Sequence, residues 1–394
     1  MSNPAARTCR QTPHIACRYT GDTMTLPRRS VQFIAALALY CAAALALAGA
    51  PLAPVSVDGA DLRRDGEIFR VFGVQNLEHP FERAFYREGT PLQRAAMQRR
   101  IDALEALGVN TLRAHLQLFD FVGMAPSGEL FARERAFDNL SYLVSLAQEA
   151  GIYLLLSANN VWTTDVLPAW YDDMHYRERW EVQAFFLGQL ALRLAPSPAI
   201  LAYELMSEPV VRLEADAPWY SGQIEDYRFV QAVARGVPED QANAVGREWV
   251  LRLRAAVREH DPQGLVTFGA MGGFYGGPLG VDNVGPLLDL VSPHIYPSVE
   301  DPGYALRIVH RYLAAGKPLV IGETHSFQSS PALFAEFLRE AAPLVDGIIS
   351  FYHGSGDAAA PIGRSRSALI LDWHAQNLQV LREMRAYILQ PPAP

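Results

Sequence analysis

From Val55 onward the chain alternates short apolar runs rich in β-branched residues with longer amphipathic ones. Val55-Ser56-Val57 and the run 67–75 flank Asp65-Gly66, a pairing that predicts a hairpin. Thr90 is placed to cap a helix that runs to Leu107, and Gly108 ends it before a strand over 109–116. The same alternation then repeats. Helices are predicted over 138–150, 176–194, 239–259, 304–315, 331–341 and 373–389. Strands are predicted over 152–157, 200–206, 265–269, 290–296, 319–322 and 347–352. Tyr153-Leu154-Leu155-Leu156 and Leu319-Val320-Ile321 are apolar on both faces. Strands buried on both faces belong to parallel sheets covered by helices. Counting the strand that ends near Gly73, eight such units favour an α/β fold of the (β/α)8 TIM-barrel type, with the hairpin at its N-terminus. Gly73-Val74-Gln75-Asn76 is no dinucleotide fingerprint, which disfavours an open Rossmann sheet.

The first fifty residues break the pattern. Arg28-Arg29 precede an uncharged Ala/Leu-rich run over 31–50, which ends in small residues. A basic stretch, an apolar stretch and a small-residue exit describe a secretory signal. Pro51 disfavours cleavage after Ala50, so the bond after Ala48 is the expected site. Residues 1–48 then form an extension and signal peptide, with Met24 an alternative start, and 49–394 a single barrel domain. A retained membrane anchor is the alternative, and it would be the chain's one link to a membrane. Phe33 falls one place late for the twin-arginine pattern, and Leu39-Tyr40 before Cys41 do not fit a lipoprotein site. Cys9, Cys17 and Cys41 all precede the expected cut, so the exported chain has no thiol chemistry and no disulfide. The expected location is secreted or periplasmic.

Composition narrows the partners. Half of the 394 residues are apolar and 19% are charged, which excludes a disordered chain and allows a large core. The net charge of −8 argues against nucleic acid, because neutralising phosphates needs a basic face. Nothing in the sequence calls for an oligomer, and a monomer is expected.

In a barrel, chemistry sits where strands end and the following loops begin. Those positions carry Gln75, Asn76, Glu78 and His79; Arg113 and His115; Asn159, Asn160 and Trp162; Ser207 and Glu208; His294 and Tyr296; Glu323, Thr324 and His325; and Tyr352 and His353. Glu208 and Glu323 each follow an apolar strand, where an unpaired charge is costly. A facing pair of carboxyls can cleave a glycosidic bond, one protonated to release the leaving oxygen and one ionised to attack the anomeric carbon. Arg113 supplies a cation able to hold one of them ionised, and that anion disfavours ionisation of its neighbour. Histidines near five strand ends raise a metal site as an option, but no His-x-His or helical His-x-x-x-His pattern occurs there. No metal and no cofactor is expected. Trp162, Trp170, Tyr171, Trp219, Tyr220, Phe274 and Tyr275 lie in the loops of this face, where flat rings suit sugars but also pack loops. The stretch 210–238 is long for a connection of this kind.

Leu107-Gly108-Val109-Asn110-Thr111-Leu112-Arg113, Tyr203-Glu204-Leu205-Met206-Ser207-Glu208-Pro209, His294-Ile295-Tyr296 and Pro318-Leu319-Val320-Ile321-Gly322-Glu323 together resemble the cellulase-like glycoside hydrolases of clan A, most closely family 5. The resemblance covers nearly all of the chain after the signal. It implies a retaining β-glycosidase with Glu208 as acid/base, Glu323 as nucleophile and Arg113 steadying the nucleophile. It also implies His294 and Tyr296 at the −1 subsite. His115, Asn159, Asn160, Trp162, Ser207 and Tyr352 complete the expected substrate-binding set. The substrate implied is an oligo- or polysaccharide of the β-glucan or β-mannan type. Ser207 stands where the family usually has Asn, Asn159-Asn160 where it often has His, and Phe351-Tyr352-His353 where a Trp usually ends the last strand. A non-catalytic carbohydrate-binding protein on the same barrel, and a metal-dependent barrel hydrolase, are the alternatives.

Overall fold

The computed structural model describes residues 52–76, 79–161, 167–224, 227–273, 275–353 and 368–391. The signal segment, Glu78, Trp162 and Phe274 lie outside the described residues. Eight parallel strands close into a barrel: β1 (Val71–Asn76), β2 (Thr111–Gln117), β3 (Tyr153–Asn160), β4 (Ile200–Ser207), β5 (Val266–Met271), β6 (Ser292–His294), β7 (Val320–Thr324) and β8 (Gly347–His353). Each pairs with its sequence neighbours, and β8 returns to β1 through Gly347↔Val71 and Ile348↔Phe72. The expected α/β barrel is therefore the observed one.

The helices follow from the apolar stripes and their caps. They are α1 (His79–Glu88), α2 (Pro91–Leu107), α3 (Glu134–Glu149), α4 (Tyr176–Leu194), α5 (Glu239–His260), α6 (Tyr304–Leu313), α7 (Pro331–Ala341) and α8 (Ala368–Leu389). Thr90 caps α2 through the Gln93 amide, and the Gln93 side chain reaches back to Thr90, satisfying two donors that the first turn leaves open. Among the described residues, no helix is long and apolar enough to cross a membrane.

Two expectations change at the ends of the barrel. The hairpin is a three-stranded antiparallel sheet, Val55–Asp58, Asp61–Arg64 and Glu67–Ile68. Asp65-Gly66 turns between the second and third of these strands, and the run 67–75 breaks at Phe69-Arg70 before entering β1. Val55 and Leu62 of this sheet join Phe69, Val71, Tyr153, Leu155, Leu201, Leu265, Leu290, Val320 and Ile349 in one apolar cluster. That cluster fills the end of the barrel where its strands begin, so inward positions there are apolar and the polar ones gather near the strand ends. The long stretch after β4 is structured too. Pro209–Val211, Tyr220–Ile224 and Tyr227–Ala234 form a second small sheet beside the barrel mouth. Its strands are short and irregular, and their period was not visible against the surrounding loop residues.

Gly108 ends α2 at φ 74°, a left-handed conformation, and its carbonyl accepts from Arg385 Nε of α8 at 3.0 Å. A β-carbon at this position would run into the Arg385 guanidinium. Gly108→Ala is expected to lower stability by about 1–2 kcal/mol, the cost of a left-handed L-residue. Urea denaturation should show a lower midpoint with an unchanged slope.

Candidate active site

The site grows around one guanidinium. Every residue of β2 is buried, and Arg113 is fully enclosed. Its Nε and Nη2 hold the two oxygens of Glu204 on β4, at 2.8 and 2.5 Å. Its Nη1 donates to Gln75 Oε1 on β1 at 2.6 Å and to Glu323 Oε1 on β7. Nη2 also faces Ser207 Oγ and His294 Nε2, each at 3.2 Å. A buried charge without partners would cost several kcal/mol; this one spans four strands with its donors engaged. Burial works against its charge, but the Glu204 and Glu323 carboxylates outweigh that and raise its pKa further. Such close packing needs space on β5. A β-carbon on Gly269 would lie 2.6 Å from His294 Nε2 and 3.0 Å from Arg113 Nη2.

Glu323 is held from two sides. Oε1 meets Arg113, and Oε2 accepts from Tyr296 Oη at 2.6 Å. Burial pushes its pKa up. The proton-bearing edge of His294, the Arg113 charge and the hydrogen bonds from Tyr296 and Arg113 outweigh burial and hold it below 4.5. Burial, followed by the Glu323 charge, drives the Tyr296 hydroxyl well above its ordinary value, so Tyr296 stays a donor.

Glu208 is held differently. It sits one residue past β4 at φ 47°, a left-handed conformation rare for a side chain of this size. Its amide donates to Gly269 O at 2.8 Å and its carbonyl accepts from Gln231 at 3.2 Å, so β5 and the added sheet fix the turn. His294 Nδ1 lies 2.9 Å from Glu208 Oε1 and 3.4 Å from Glu323 Oε2. The guanidinium beside Nε2 can only donate, so Nε2 accepts and the ring proton sits on Nδ1, between the two carboxyls. Glu208 Oε2 has no hydrogen-bond partner among the described residues. Single ligand atoms of Glu208, His294 and Glu323 lie within 4.8 Å of one another. Three such atoms could touch a cation, but Arg113 already brings positive charge to Glu323 there.

The structure thus brings together Arg113, Ser207, Glu208, His294, Tyr296 and Glu323. His115 is buried on the same face of β2, two residues beyond Arg113. Asn159 and Asn160 are buried and tie strands together. Asn159 donates to Leu205 O at 3.0 Å, and Asn160 accepts from the Ser207 amide at 3.3 Å. Tyr352 lies in β8, with its side chain outside the described residues. Tyr171 and Trp219, which the loop pattern offered to sugars, are buried beneath Arg179, whose guanidinium lies 4.5 and 3.7 Å from their rings. Glu204 was passed over in the sequence, although a carboxylate inside an apolar strand is itself a signal that a buried cation faces it. Ser157 also donates to it, at 2.6 Å.

No family model matches the sequence, and no curated protein matches it. Solved structures do match. An endo-1,4-β-mannanase from Rhizomucor miehei superposes with a TM-score of 0.62 at 14% identity, covering 85% of this chain and 99% of that one. An exo-β-1,4-mannosidase from an Opitutaceae bacterium gives 0.60 at 18% identity, covering 85% of this chain and 62% of that one. A GH5_18 protein from Streptomyces cattleya, solved with Manβ1-4GlcNAc, gives 0.57 at 18% identity, covering 82% of each chain. The fold is that of the family 5 glycoside hydrolases.

The Glu323 environment makes a pH prediction. Its carboxylate pKa is depressed, so the ionised form persists as pH falls below 4.5 and is lost only through the lower, folded-state value. Tyr296→Phe removes one donor to the carboxylate. The acid limb of any activity that needs the Glu323 anion should then move to higher pH, by about half a unit to one unit. A pH–rate profile of kcat/KM checks this; an unmoved acid limb would mean that another group sets it.

Proposed function

We propose that the chain is a retaining β-glycosidase acting on a β-linked glycan, with Glu323 as nucleophile and Glu208 as acid/base. The observation that carries this reading is the spacing of the two carboxyls. Retaining enzymes hold the pair about 5–5.5 Å apart, whereas inverting ones leave about 6.5–9.5 Å for a water. Here one oxygen of Glu208 comes within 4.8 Å of one oxygen of Glu323, both near His294 Nδ1, a close approach that supports the shorter, retaining spacing.

The environments divide the work. Arg113 and Tyr296 hold Glu323 as an anion aimed at the anomeric carbon. Its oxygen forms the bond to that carbon while the glycosidic oxygen leaves. The leaving oxygen takes its proton from Glu208. His294 donates to Glu208 Oε1, so the proton belongs on Oε2, the oxygen without a partner. In the second step Glu208 removes a proton from water, whose oxygen attacks the same carbon and frees Glu323. Configuration is retained through two inversions. Two carboxyls and water suffice, so no metal or organic cofactor enters this scheme.

The mannanases and mannosidase of like fold favour a β-mannan over a β-glucan as substrate. Ser207, beside the acid/base and bonded to Arg113, takes the place from which a side chain would reach the sugar 2-hydroxyl, the group that distinguishes mannose from glucose. The signal-like segment supports a reaction outside the cytoplasm, with residues 49–394 as the exported domain.

Variants of the two carboxyls test the assignment. Glu323→Ala should leave no measurable turnover on any glycoside. Glu208→Ala should cost about 10²–10⁴-fold on glycans with poor leaving groups, yet spare the first step on activated aryl glycosides. Azide should then rescue Glu208→Ala and give a β-glycosyl azide, identified by NMR. An α-glycosyl azide, or equal loss on both substrate types, would show that the roles are misassigned.

A further inference from the structure

Above the end of β7 the chain gathers five rings. Phe327 lies 4.6 Å from His325, 5.7 Å from Tyr296, 5.3 Å from Phe351 of β8 and 5.6 Å from Trp373 of α8, measured between centroids. The other four are buried or half-buried, but Phe327 is 42% exposed. Its position is fixed by its neighbours. Val299 donates to Gln328 O at 2.9 Å, joining the loops after β6 and β7 on either side of the ring. His325 and Phe351 back it from below and beside. A Phe side chain left 42% exposed costs apolar hydration, which burial of its exposed part would remove. Tyr296 links this ring to the chemistry, because its hydroxyl bonds Glu323 Oε2. A sugar whose anomeric carbon meets Glu323 therefore lies within one ring's reach of Phe327.

We propose that Phe327 is a stacking shelf for a pyranose ring of the glycan, on the Tyr296 side of Glu323. This rests on the glycosidase reading above. The occupant follows from the chemistry. A β-linked glucopyranose presents axial C–H groups on both faces and hydroxyls around its edge; in a β-linked mannopyranose the axial 2-hydroxyl stands on one face and leaves the other, with H1, H3 and H5, apolar. The C–H face packs on an aromatic ring much as another ring's edge does, and the hydroxyls stay in water or meet the polar site. Phe has no polar tip, so the contact selects a flat apolar face and not a charge. The rigid backing of four rings keeps the shelf formed before the sugar arrives, which lowers the ordering cost of binding.

The test compares Phe327→Leu, Phe327→Ala and Phe327→Trp in the full chain. Leu keeps apolar bulk but removes the flat face, Ala removes both, and Trp keeps a flat face. Mannotetraose and cellotetraose are titrated by calorimetry into each variant in a Glu323→Gln background, and kcat/KM is measured with Glu323 present. Stacking predicts Kd raised roughly threefold to tenfold in Leu and Ala and retained in Trp, with matching losses in kcat/KM and little change in Tm. A Leu variant that binds and turns over like the parent overturns the shelf and leaves the glycosidase reading standing. If the parent neither binds nor cleaves either glycan, while chromogenic β-glycosides and polysaccharides also fail, the glycosidase reading falls and the shelf with it. If Ala proves unstable, the Leu and Trp pair decides, since both keep a large apolar side chain.

Discussion

Everything polar in this barrel is arranged around the enclosed guanidinium of Arg113. One cation bonds carboxylates from opposite parts of the barrel, Glu204 on β4 and Glu323 on β7, and an amide from β1. None of these groups is stable alone in such a place. A buried carboxylate without a donor takes up a proton, and a buried guanidinium without acceptors loses several kcal/mol to desolvation. Joined, they fix the relative positions of the strands that carry them. Glu204 takes the Nε edge of the fork and leaves Nη1 to Gln75 and Glu323. Ser157 and Asn160 on β3 brace it from behind, the first at 2.6 Å and the second through Ser157 Oγ at 3.1 Å. The proposed nucleophile thus takes much of its orientation from a network buried in the barrel.

The rest of the barrel makes this network affordable. The N-terminal sheet and the inward residues of the lower strands form an apolar plug, which keeps water from the underside of Arg113. Gly269 on β5 gives up a side chain so that His294 and Arg113 can approach each other. Among the described non-glycine residues, left-handed backbone occurs in the Asp65 turn of the N-terminal sheet and, at the barrel mouth, at Asn159 with φ 57° and Glu208 with φ 47°. The last two are clamped by hydrogen bonds to neighbouring strands.

The architecture was legible because the apolar runs are long and their stops chemically explicit. The helices Tyr176–Leu194 and Pro331–Ala341 match their expected bounds at both ends. Ser330 followed by Pro331 marks one start, and a capping box between His175 and Glu178 the other. The sheet after β4 was not legible, because strands of three to eight residues with mixed polarity look like loop. Helix α1 was hidden for a similar reason: it is short and follows β1 closely. In the site, Arg113, His294, Tyr296 and the two glutamates could be read because each stands in or just after a recognisable strand run, although Arg113 lies within its strand and not at its end. Glu204, a carboxylate inside an apolar strand, signals a buried cation, but which cation is not legible because it lies 91 positions away in the chain. The ring of Phe327 was missed because its role depends on Tyr296 and Phe351, brought to it only by barrel closure.

The two carboxyls of the site differ in freedom. Glu323 has both oxygens bonded, by Arg113 and Tyr296, and so is held in one orientation. Glu208 has one oxygen bonded by His294 and the other open, on a turn that β5 and the added sheet hold from the backbone. A group that must first give a proton to a leaving oxygen and then take one from water needs that open oxygen. Ser207 extends the same logic toward the sugar. Arg113 donates to its oxygen, so the hydroxyl proton is left to point elsewhere. In the proposed glycosidase, a short donor held by the same cation as Glu323 would couple any grip on a sugar hydroxyl to the network that positions Glu323.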